Sequence, residues 1–384
     1  MGHAAFLENQ PPKSELASLA WSGLRKFRVT GIKEESEIIR SFWLTPEDGG
    51  KLPLFRAGQY VPVRSIPPEG GRPLTRTYSL SAAPGDHRFI RISVKRESGA
   101  FNGELPGGVF SNFLHDTITL GSSLSIGAPR GSFVLDAANS DPVCLLSAGV
   151  GITPVQSMLE HLVFRDDRRP IWFIHGNRNG KLHAFRDEVR KFVIDRPWIT
   201  SRVCYSRPTR SDTRLQSFDQ IGRVDHALID SLNMPEDTQY FLCGPLGFLR
   251  DFYHGLRRRG IDAARIHYEH FGTAIDLAIE ASQESKPIRP PKTRDASPAT
   301  DATVTFAHSG VVVQWDDSNE SILELAESAG ISAMYSCRSG VCQTCSCHLQ
   351  EGEVEYFNEP AADPEPGEVL ICSARPKGNI VLDL

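Results

Sequence analysis

The chain has 384 residues, enough for two or three domains, and its 40% hydrophobic and 23% charged residues are typical of a folded globular protein. It shows neither a run of about 18 apolar residues nor a basic opening segment followed by an apolar core, so we expect no transmembrane helix and no signal peptide. The basic run at 257–259 is typical of the end of a solvated helix, and no nucleic-acid partner is expected. Four of the eight cysteines have ligand-like spacing, which favours a reducing compartment, the cytoplasm by default.

The first part of the chain is predicted to form an extension and a β-barrel. Residues 1–24 contain Pro11-Pro12 and a short amphipathic stretch, and they are predicted to be an N-terminal extension. Residues 25–137 carry six β-rich runs between Gly, Pro and Asp residues, a spacing typical of a small antiparallel β-barrel. The six predicted strands cover residues 27–30, 38–44, 60–63, 77–80, 89–95 and 123–126.

Residues suited to a flavin lie within this barrel. Arg76-Thr77-Tyr78-Ser79 matches the R-x-Y-S motif of the ferredoxin–NADP reductase superfamily of flavoenzymes. In such a site Tyr78 can lay its ring against the isoalloxazine, Ser79 can hydrogen-bond flavin N5, and Arg76 can neutralise a phosphate. Gly107 and Gly108 precede a short helix predicted over 110–114, whose N-terminus can hold the flavin phosphate. The resemblance assigns five further residues to the flavin: Arg91, Ser93, Val94, Val109 and Ser111.

From residue 138 to 273 the pattern changes to alternating strands and helices, which predicts an α/β nucleotide domain with a parallel sheet. A buried strand at 143–147 leads into Gly149 and Gly151, after which Thr153 is predicted to cap a helix and Pro154 to take its first position. Glycines there would let a dinucleotide pyrophosphate approach the helix end, although an ordinary tight strand–helix turn has the same pattern. Cys243-Gly244-Pro245 matches the superfamily's C-G-P motif, which implies that Cys243 lies near nicotinamide C4; otherwise it is a buried strand end.

Over residues 25–273 the chain resembles the reductase half of flavohemoglobins. Three segments carry that resemblance: 147–151, 183–189 and 267–272. It implies that the flavin is FAD, that Phe271 covers the ring face where nicotinamide enters, and that Glu269 lies near the reactive edge. Ser79, Cys243 and Glu269 are then the candidate catalytic residues. Flavohemoglobins carry an N-terminal globin, which residues 1–24 are too short to form, so nitric oxide dioxygenation by this chain alone is not expected.

The adenosine end of the nucleotide is predicted at Ser206 and Arg207, which follow a strand at 202–205. An arginine there could pair with the 2′-phosphate of NADPH. Flavohemoglobin-like relatives favour NADH, and we expect NADH to be preferred, with NADPH as the alternative.

Residues 274–300 are rich in Pro, Lys, Ser and Asp and are predicted to be an interdomain linker. Residues 301–384 then resemble a plant-type ferredoxin, an α+β domain of β-grasp type. Its predicted elements are two short strands around Ser309-Gly310, a helix opened by Asn319 or Ser321, a strand near 347–349 and a last strand within 378–384.

Four cysteines in this domain have the spacing of a plant-type [2Fe–2S] site: Cys337, Cys342 and Cys345 at C-x4-C-x2-C, and Cys372 27 positions after the third. One loop can supply three thiolates, and the fourth must come from elsewhere, for which 371–373 is predicted to be a strand. A zinc site or a redox disulfide is the alternative, but zinc ligands usually come as paired C-x2-C units and only one such pair is present. Cys347 is predicted to be a small buried residue of the next strand.

Charge is unevenly distributed along the chain. Residues 302–384 hold 13 acidic and 3 basic residues, a net charge of −10, whereas the remainder carries +5. The acidic balance indicates either an electron-transfer face that docks by charge or simply solubility.

Together these features predict an NAD(P)H-dependent reductase that passes electrons through FAD and a [2Fe–2S] cluster to an acceptor protein. The domain order resembles reductase components of Rieske-type dioxygenases, demethylases and other iron monooxygenases, so an oxygenase is the expected partner. The alternatives are a non-oxygenase acceptor, such as a hybrid-cluster or heme protein, and a redox-sensing module that stores an electron.

Overall fold

The computed structural model describes most of the chain in two compact units. Described are residues 21, 23–66, 74–85, 88–97, 108–136, 138–271, 277, 302–316, 319, 321–329, 331, 333, 340, 345–357, 360, 364 and 366–384. The first unit is Met1–Pro73 with Thr77–Phe271, and the second is Leu74–Arg76 with Gly272–Leu384. Residues 1–20 of the predicted extension, most of the predicted linker, Gly107, Cys337 and Cys342 lie outside the described residues. No helix of the described part is both long and apolar enough to cross a bilayer.

First along the chain comes a six-stranded antiparallel sheet in the order β4-β3-β6-β1-β2-β5. An isolated bridge between Leu80 and Ile92 joins the two edge strands, as a barrel requires. All six strands predicted from the sequence are present, and the helix α1 lies between the last two. The elements are β1 Leu24–Glu34, β2 Ile39–Pro46, β3 Tyr60–Ser65, β4 Leu74–Ser79, β5 Ile90–Lys95, α1 Val109–Asp116 and β6 Ser123–Gly127.

A parallel six-stranded sheet in the order β10-β9-β8-β7-β11-β12 follows, as the alternating pattern predicted. Its strands are β7 Val143–Ala148, β8 Ile171–Asn177, β9 Ile199–Tyr205, β10 Gln220–Ile221, β11 Gln239–Cys243 and β12 Ile266–Glu269. The helices are α2 Ile152–Phe164, α3 Arg186–Val193, α4 Arg210–Arg214, α5 His226–Ser231 and α6 Leu246–Arg258. One hydrophobic core runs from the barrel, at Ile39 and Phe133, to Val155 and Leu159 of α2. The two sheets of this unit are therefore packed together.

The second unit contains a small mixed sheet in the order β14-β13-β19-β15-β17, with β16 and β18 paired beside it. The elements are β13 Thr303–Phe306, β14 Val311–Gln314, α7 Ile322–Ser328, β15 Ser346–Glu351, β16 Val354–Tyr356, β17 Glu368–Leu370, β18 Ala374–Pro376 and β19 Ile380–Leu382. Ser321 opens α7, since its Oγ accepts from the Glu324 backbone N–H at 3.2 Å. The fold class predicted from the sequence is thus confirmed for all three sheets.

Three local predictions were wrong. Residues 371–373 form a turn, not a strand, because the chain leaves β17 to pair with β16 through β18, and Ser373 N–H closes the turn on Leu370 O at 3.1 Å. Thr153 does not cap α2: the 3-10 turn Gly149–Gly151 runs straight into a helix that begins at Ile152, with Gly151 as its N-cap. The Thr153 hydroxyl instead donates to Val150 O at 3.1 Å. Pro154 is the third residue of this helix and not, as predicted, the first, but it still lies in the first turn, where a missing N–H costs no helical hydrogen bond.

Candidate flavin, nucleotide and cluster sites

The flavin motif lies at the end of β4, and one of its side chains lacks a partner. Ser79 is 5% exposed, and its Oγ has no hydrogen-bond partner in the described structure. A buried hydroxyl left unpaired costs about 1–3 kcal/mol, so such an atom is expected where a ligand completes the site. The half-buried ring of Tyr78 stacks on Phe110, with 6.3 Å between centroids. The residues present therefore fit a flavin whose ring system meets Tyr78 and whose polar edge meets Ser79.

The predicted phosphate end is built around the first turn of α1. Gly108 is its N-cap, and a Cβ there would lie 2.7 Å from Ser111 Oγ and 2.9 Å from Glu97 Cβ, so only glycine fits. Ser111 Oγ donates to Gly108 O at 3.0 Å and accepts from Glu97 N–H at 3.2 Å, which fixes this loop. Val109 is 61% exposed. The arrangement leaves the helix N-terminus open to an anion.

Three predicted flavin residues of β5 have their side chains engaged within the protein. Ser93 Oγ is hydrogen-bonded to Ser41 Oγ and to Ser81 Oγ, both at 2.7 Å. Val94 is fully buried in the core, and Arg91 is 3% exposed and bonds to protein groups. Their assignment to the cofactor stays a prediction, and it is not favoured by these side-chain contacts.

The predicted nucleotide site lies where β7 and β11 end side by side. Ser147 is in register with Cys243, and a Cβ on Gly151 would overlap the Cys243 carbonyl, so the two turns touch only because Gly151 has no side chain. Gly149 has a φ of +57°, a conformation that favours glycine. Gly244 packs equally closely, since a Cβ there would lie 2.8 Å from the ring of Phe248. These contacts form a tight cradle in front of α2.

A crevice of about 420 Å³ opens at this cradle. Gly149 and Val150 line it from one side, and Lys95, Arg96 and Arg178 add three positive charges. Lys95 and Arg96 are paired with Glu97 and Asp116, whereas Arg178 has no ion pair with any residue that the structure describes. Cations and a helix N-terminus together suit a pyrophosphate. Sequence reasoning missed Arg178 because it lies in a loop without a motif of its own.

The catalytic candidates Cys243 and Glu269 are neighbours in register on β11 and β12. Burial raises the pKa of Glu269 to about 8, and its Oε2 has no hydrogen-bond partner among the described residues. Burial also raises the pKa of the Cys243 thiol, and the nearby charge of Glu269 adds to this effect. The thiol is therefore neutral at pH 7 and is not a nucleophile of the thiolate type. Phe271, which follows shortly after, is 45% exposed and free to cover a ring.

Behind the cradle, a buried imidazole links the two ends of the nucleotide site. His175 Nδ1 is 2.9 Å from Ser147 Oγ, and Asn177 Nδ2 lies 3.3 Å from His175 Nε2. Asn177 Oδ1 accepts from the Arg178 backbone N–H at 2.8 Å, which turns its amide nitrogen towards the imidazole. His175 Nε2 must then accept, so His175 carries its proton on Nδ1 and donates to Ser147. Burial, and next the charge of nearby His183, keep the pKa of His175 well below its usual value.

The predicted adenosine end is joined to the same loop. Ser206 N–H donates to Asn177 O at 3.0 Å, and Arg207 N–H donates to Arg178 O at 2.8 Å. Arg178 and Arg207 are both exposed, so two free guanidinium groups extend from adjacent strand ends. Of these two arginines the sequence pattern predicted Arg207 and missed Arg178.

In the second unit, the two described cluster cysteines meet at one place. Cys345 and Cys372 are each 3% exposed, and Ile371 N–H donates to Cys345 O at 3.4 Å. The backbone N–H of Gly340, whose φ is +72°, donates to Cys372 Sγ at 3.3 Å. Such a bond stabilises a thiolate, as a cluster ligand requires. Cys347 is buried on β15, as predicted, and its thiol lies 3.7 Å from His348 O.

Comparison with known proteins agrees with this division. Residues 145–254 match the family model described as oxidoreductase NAD-binding domain, and residues 304–377 match the 2Fe-2S iron-sulfur cluster binding domain. The solved flavohem-like FAD/NAD binding domain of nitric oxide dioxygenase from Vibrio cholerae is 34% identical, with a TM-score of 0.58 over 64% of this chain and 98% of that domain. The chain belongs to the ferredoxin–NADP reductase superfamily. It is an NAD-binding oxidoreductase in which a flavohemoglobin-type FAD/NAD module is joined to a [2Fe–2S] domain, as the sequence predicted.

Two further relatives extend the comparison. The flavohemoprotein of Bordetella pertussis is 44% identical over 254 residues, which is 66% of this chain, and the chain spans 62% of that protein's length. Phthalate dioxygenase reductase, described as a modular structure for electron transfer from pyridine nucleotides to [2Fe-2S], has a TM-score of 0.55 at 24% identity. That match covers 94% of this chain and 98% of the reductase, so the two share the same succession of folds.

Proposed function

We propose that this reductase takes electrons from NADH and delivers them to a partner iron oxygenase, of Rieske type or of another monooxygenase or demethylase class. The succession of folds shared with phthalate dioxygenase reductase over nearly the whole chain carries the proposal. When bound, FAD splits the two-electron oxidation of NADH into the single-electron steps that a [2Fe–2S] cluster can carry.

The chain's own residues have distinct tasks in this proposal. Ser79 offers its unpaired hydroxyl to the flavin, and Phe271 covers the ring until the nicotinamide enters. The crevice beside α2 and Arg178 holds the nucleotide phosphates. Each NADH that gives up two electrons also releases one proton, and Glu269, with a pKa of about 8, can hold and release a proton at its carboxyl oxygens. Gly340 stabilises the Cys372 ligand through its N–H.

A heme protein is a second candidate acceptor. It is favoured by the 44% identity to flavohemoproteins, which exceeds the identity to phthalate dioxygenase reductase. Arg207, which could pair with a 2′-phosphate, keeps NADPH open as an alternative donor.

Reduction of purified acceptors distinguishes these functions. The full chain with FAD and cluster is mixed anaerobically with NADH and either the Rieske-type oxygenase component encoded nearest to its gene or ferric myoglobin. The proposal expects the Rieske absorbance to bleach rapidly with the wild type. With Cys372→Ser the bleaching should no longer occur. Faster reduction of the heme protein would favour the second candidate, and slow reduction of both, with a cluster that stays reduced, would indicate electron storage.

A further inference from the structure

One arginine of the barrel is buried and uses its whole guanidinium on protein groups. The side chain of Arg91, on β5, is 4% exposed. Its Nε donates to Ser81 Oγ at 3.2 Å, and Nη2 donates to Ser81 O. Nη1 donates to both carboxylate oxygens of Glu188, at 3.1 and 3.2 Å, and Nη2 lies 3.5 Å from Glu160 Oε2. The arginine thus ties its own barrel to two acids elsewhere in the chain.

Those two acids come from the nucleotide-binding part of the unit. Glu160 is on α2 and Glu188 is on α3. Glu160 Oε2 also accepts from the backbone N–H of Ala83 at 2.8 Å, and Ser157 Oγ, on the same face of α2, donates to Ala82 O at 2.7 Å. Helix α2 therefore holds the segment Ala82-Ala83 through two direct hydrogen bonds, and Arg91 of β5 contacts the same helix through Glu160.

The elements that meet here lead to the two cofactor motifs. Ala82 follows Ser79 by three residues, about 10 Å of extended chain. Ser157 follows Gly151, in the nucleotide cradle, by six residues, about 9 Å along α2. Both paths are short and run through regular or hydrogen-bonded backbone. The bonds at Ala82 and Ala83 therefore help to set the position of Ser79 relative to the cradle, together with the hydrophobic core that the barrel shares with α2.

Two aromatic rings enclose the guanidinium. Its central carbon lies 5.5 Å from the ring centre of Trp43 and 5.1 Å from that of Phe185. Phe185 has a φ of +60°, which is rare for a bulky side chain and costs of order 1–3 kcal/mol. It directly precedes the helix that carries Glu188. A strained residue retained beside a buried arginine indicates that the surrounding contacts hold it there.

We propose that Arg91 is a positioning residue, which fixes the flavin strand against the nucleotide helix by holding Glu160 and Glu188, rather than a ligand of the flavin. Burial raises the pKa of Glu160, and the charge of Arg91 opposes that shift. Without Arg91, Glu160 loses its cation, whereas Glu188 keeps Lys33 at 3.4 Å and the Gln156 amide at 3.1 Å. The bond from Ala83 to Glu160 is therefore the contact that depends most on the arginine.

The test compares Arg91→Met and Arg91→Lys with the wild type in the full chain loaded with FAD. Arg28→Met is the matched control, because Arg28 is on β1 of the same barrel and its side chain is 58% exposed. Three quantities are measured: exchange of the Ala83 amide hydrogen, the long-wavelength absorbance that forms when nicotinamide stacks on flavin, and kcat and KM for ferricyanide reduction by NADH. Ferricyanide needs no partner protein, so the result is independent of the proposed acceptor.

Arg91→Met should speed exchange at Ala83, weaken the stacking absorbance and lower kcat about 10- to 100-fold, with a smaller change in KM, because a misplacement of about 1 Å costs that much in rate. Arg91→Lys keeps the positive charge but not the planar guanidinium that bonds to two acids at once. Its exchange rate, stacking absorbance and kcat should lie between those of the wild type and of Arg91→Met. Arg28→Met should match the wild type. Unchanged absorbance and kcat in Arg91→Met would overturn the proposal.

The double variant Arg91→Met/Glu160→Gln covers the case in which the single variant fails to fold. It leaves no unpaired charge at Glu160 and keeps an acceptor for Ala83, so stability should recover. The stacking absorbance and kcat should stay low, because Glu188 then keeps Lys33 of β1 but no longer Arg91, and the amide at position 160 has no cation beside it. Recovery of kcat together with stability would show that Arg91 is an ordinary structural ion pair, and the positioning role would be rejected.

Discussion

Cys243 and Glu269 lie side by side at the ends of two parallel strands, where the thiol is fully buried and the Glu269 side chain is half-buried. The carboxyl group is 26 positions from the thiol in the sequence, yet it adds to the rise of the thiol pKa. Since both groups favour their neutral forms, the site at pH 7 is uncharged at the point where the nicotinamide is proposed to enter. A neutral pocket suits a ring that becomes cationic only when oxidised.

The raised pKa of Glu269 predicts a pH-dependent stability. The folded chain keeps this proton up to about pH 8, whereas an ordinary glutamate, with a pKa of 4.5, has lost it well below that. Folding therefore takes up a proton in this window, and the free energy of unfolding should fall as pH rises from about 4.5 to 8, by at most about 1.4 kcal/mol per pH unit. Urea unfolding of the wild type and of Glu269→Gln checks this. The variant should lack this component, and parallel pH curves for the two proteins would contradict it.

The unpaired hydroxyl of Ser79 predicts effects of opposite sign with and without flavin. In the flavin-free chain, Ser79→Ala removes a buried group that has no partner, so the free energy of unfolding should rise by about 1–3 kcal/mol. With FAD bound, the variant should lose flavin affinity. Ser93→Ala is the matched control: Ser93 is equally buried but bonded to two other serines, so its removal should destabilise both forms. Thermal unfolding of both forms measures these effects, and a loss of stability in flavin-free Ser79→Ala would show that the hydroxyl is satisfied.

The sequence predicted what depends on local patterns. Runs of β-forming residues between Gly, Pro and Asp predicted all six barrel strands, which the structure confirms. The cysteine spacing predicted the ligand loop, and this stays a prediction because Cys337 and Cys342 lie outside the described residues. The cap assigned to Thr153 was wrong because Gly149–Gly151 already continues into the helix, which no composition rule reveals. The partners of Arg91 could not be predicted either, since Glu160 and Glu188 lie 69 and 97 positions away and meet it only through tertiary packing.

Nucleotide preference should depend on Arg207, the exposed arginine at the predicted adenosine end. We expect a higher kcat/KM with NADH than with NADPH. Arg207→Ala should leave the NADH value nearly unchanged and lower the NADPH value, because only NADPH carries a phosphate for the guanidinium. Steady-state ferricyanide reduction with each nucleotide measures both. Arg178→Ala is the comparison: near the pyrophosphate, it should weaken both nucleotides alike. Equal loss with both nucleotides in Arg207→Ala would rule out its role in selectivity.

The cluster assignment predicts a separation of two activities. Serine in place of Cys337, Cys342, Cys345 or Cys372 should abolish the visible [2Fe–2S] spectrum while ferricyanide reduction by NADH survives, because Ser79 and the nucleotide cradle lie in the first unit. Cys347→Ser should keep the cluster, since that thiol is buried on β15, 3.7 Å from the His348 carbonyl oxygen, and lies outside the C-x4-C-x2-C spacing. Absorption and circular dichroism spectra decide this. A colourless Cys347→Ser protein would show that the ligand set was chosen wrongly.

The last prediction concerns the acidic face of the second unit. Glu351, Glu353 and Glu355 are exposed along the end of β15 and the start of β16. Lys377 lies 3.9 Å from Glu353, and Arg375 is opposite Glu355 in the β16–β18 pair. A net charge of −10 over residues 302–384 can steer this domain to a basic acceptor, and the attraction weakens as the Debye length falls from about 10 Å at 0.1 M salt to about 3 Å at 1 M. Reduction of cytochrome c should therefore slow with salt, and ferricyanide reduction much less.

Neutralising all three glutamates to glutamine should reproduce the effect of salt at low ionic strength. The matched control neutralises three exposed acids of the first unit: Asp166, Asp187 and Glu236. It changes the net charge of the chain by the same amount but leaves the acidic face intact, so cytochrome c reduction should stay close to wild type. Because only the position of the lost charges differs, equal slowing in both triple variants would assign the effect to overall charge. If the rate of cytochrome c reduction changes neither with salt nor on neutralising the three glutamates, the docking role is rejected. The acidic residues of this unit would then serve solubility alone.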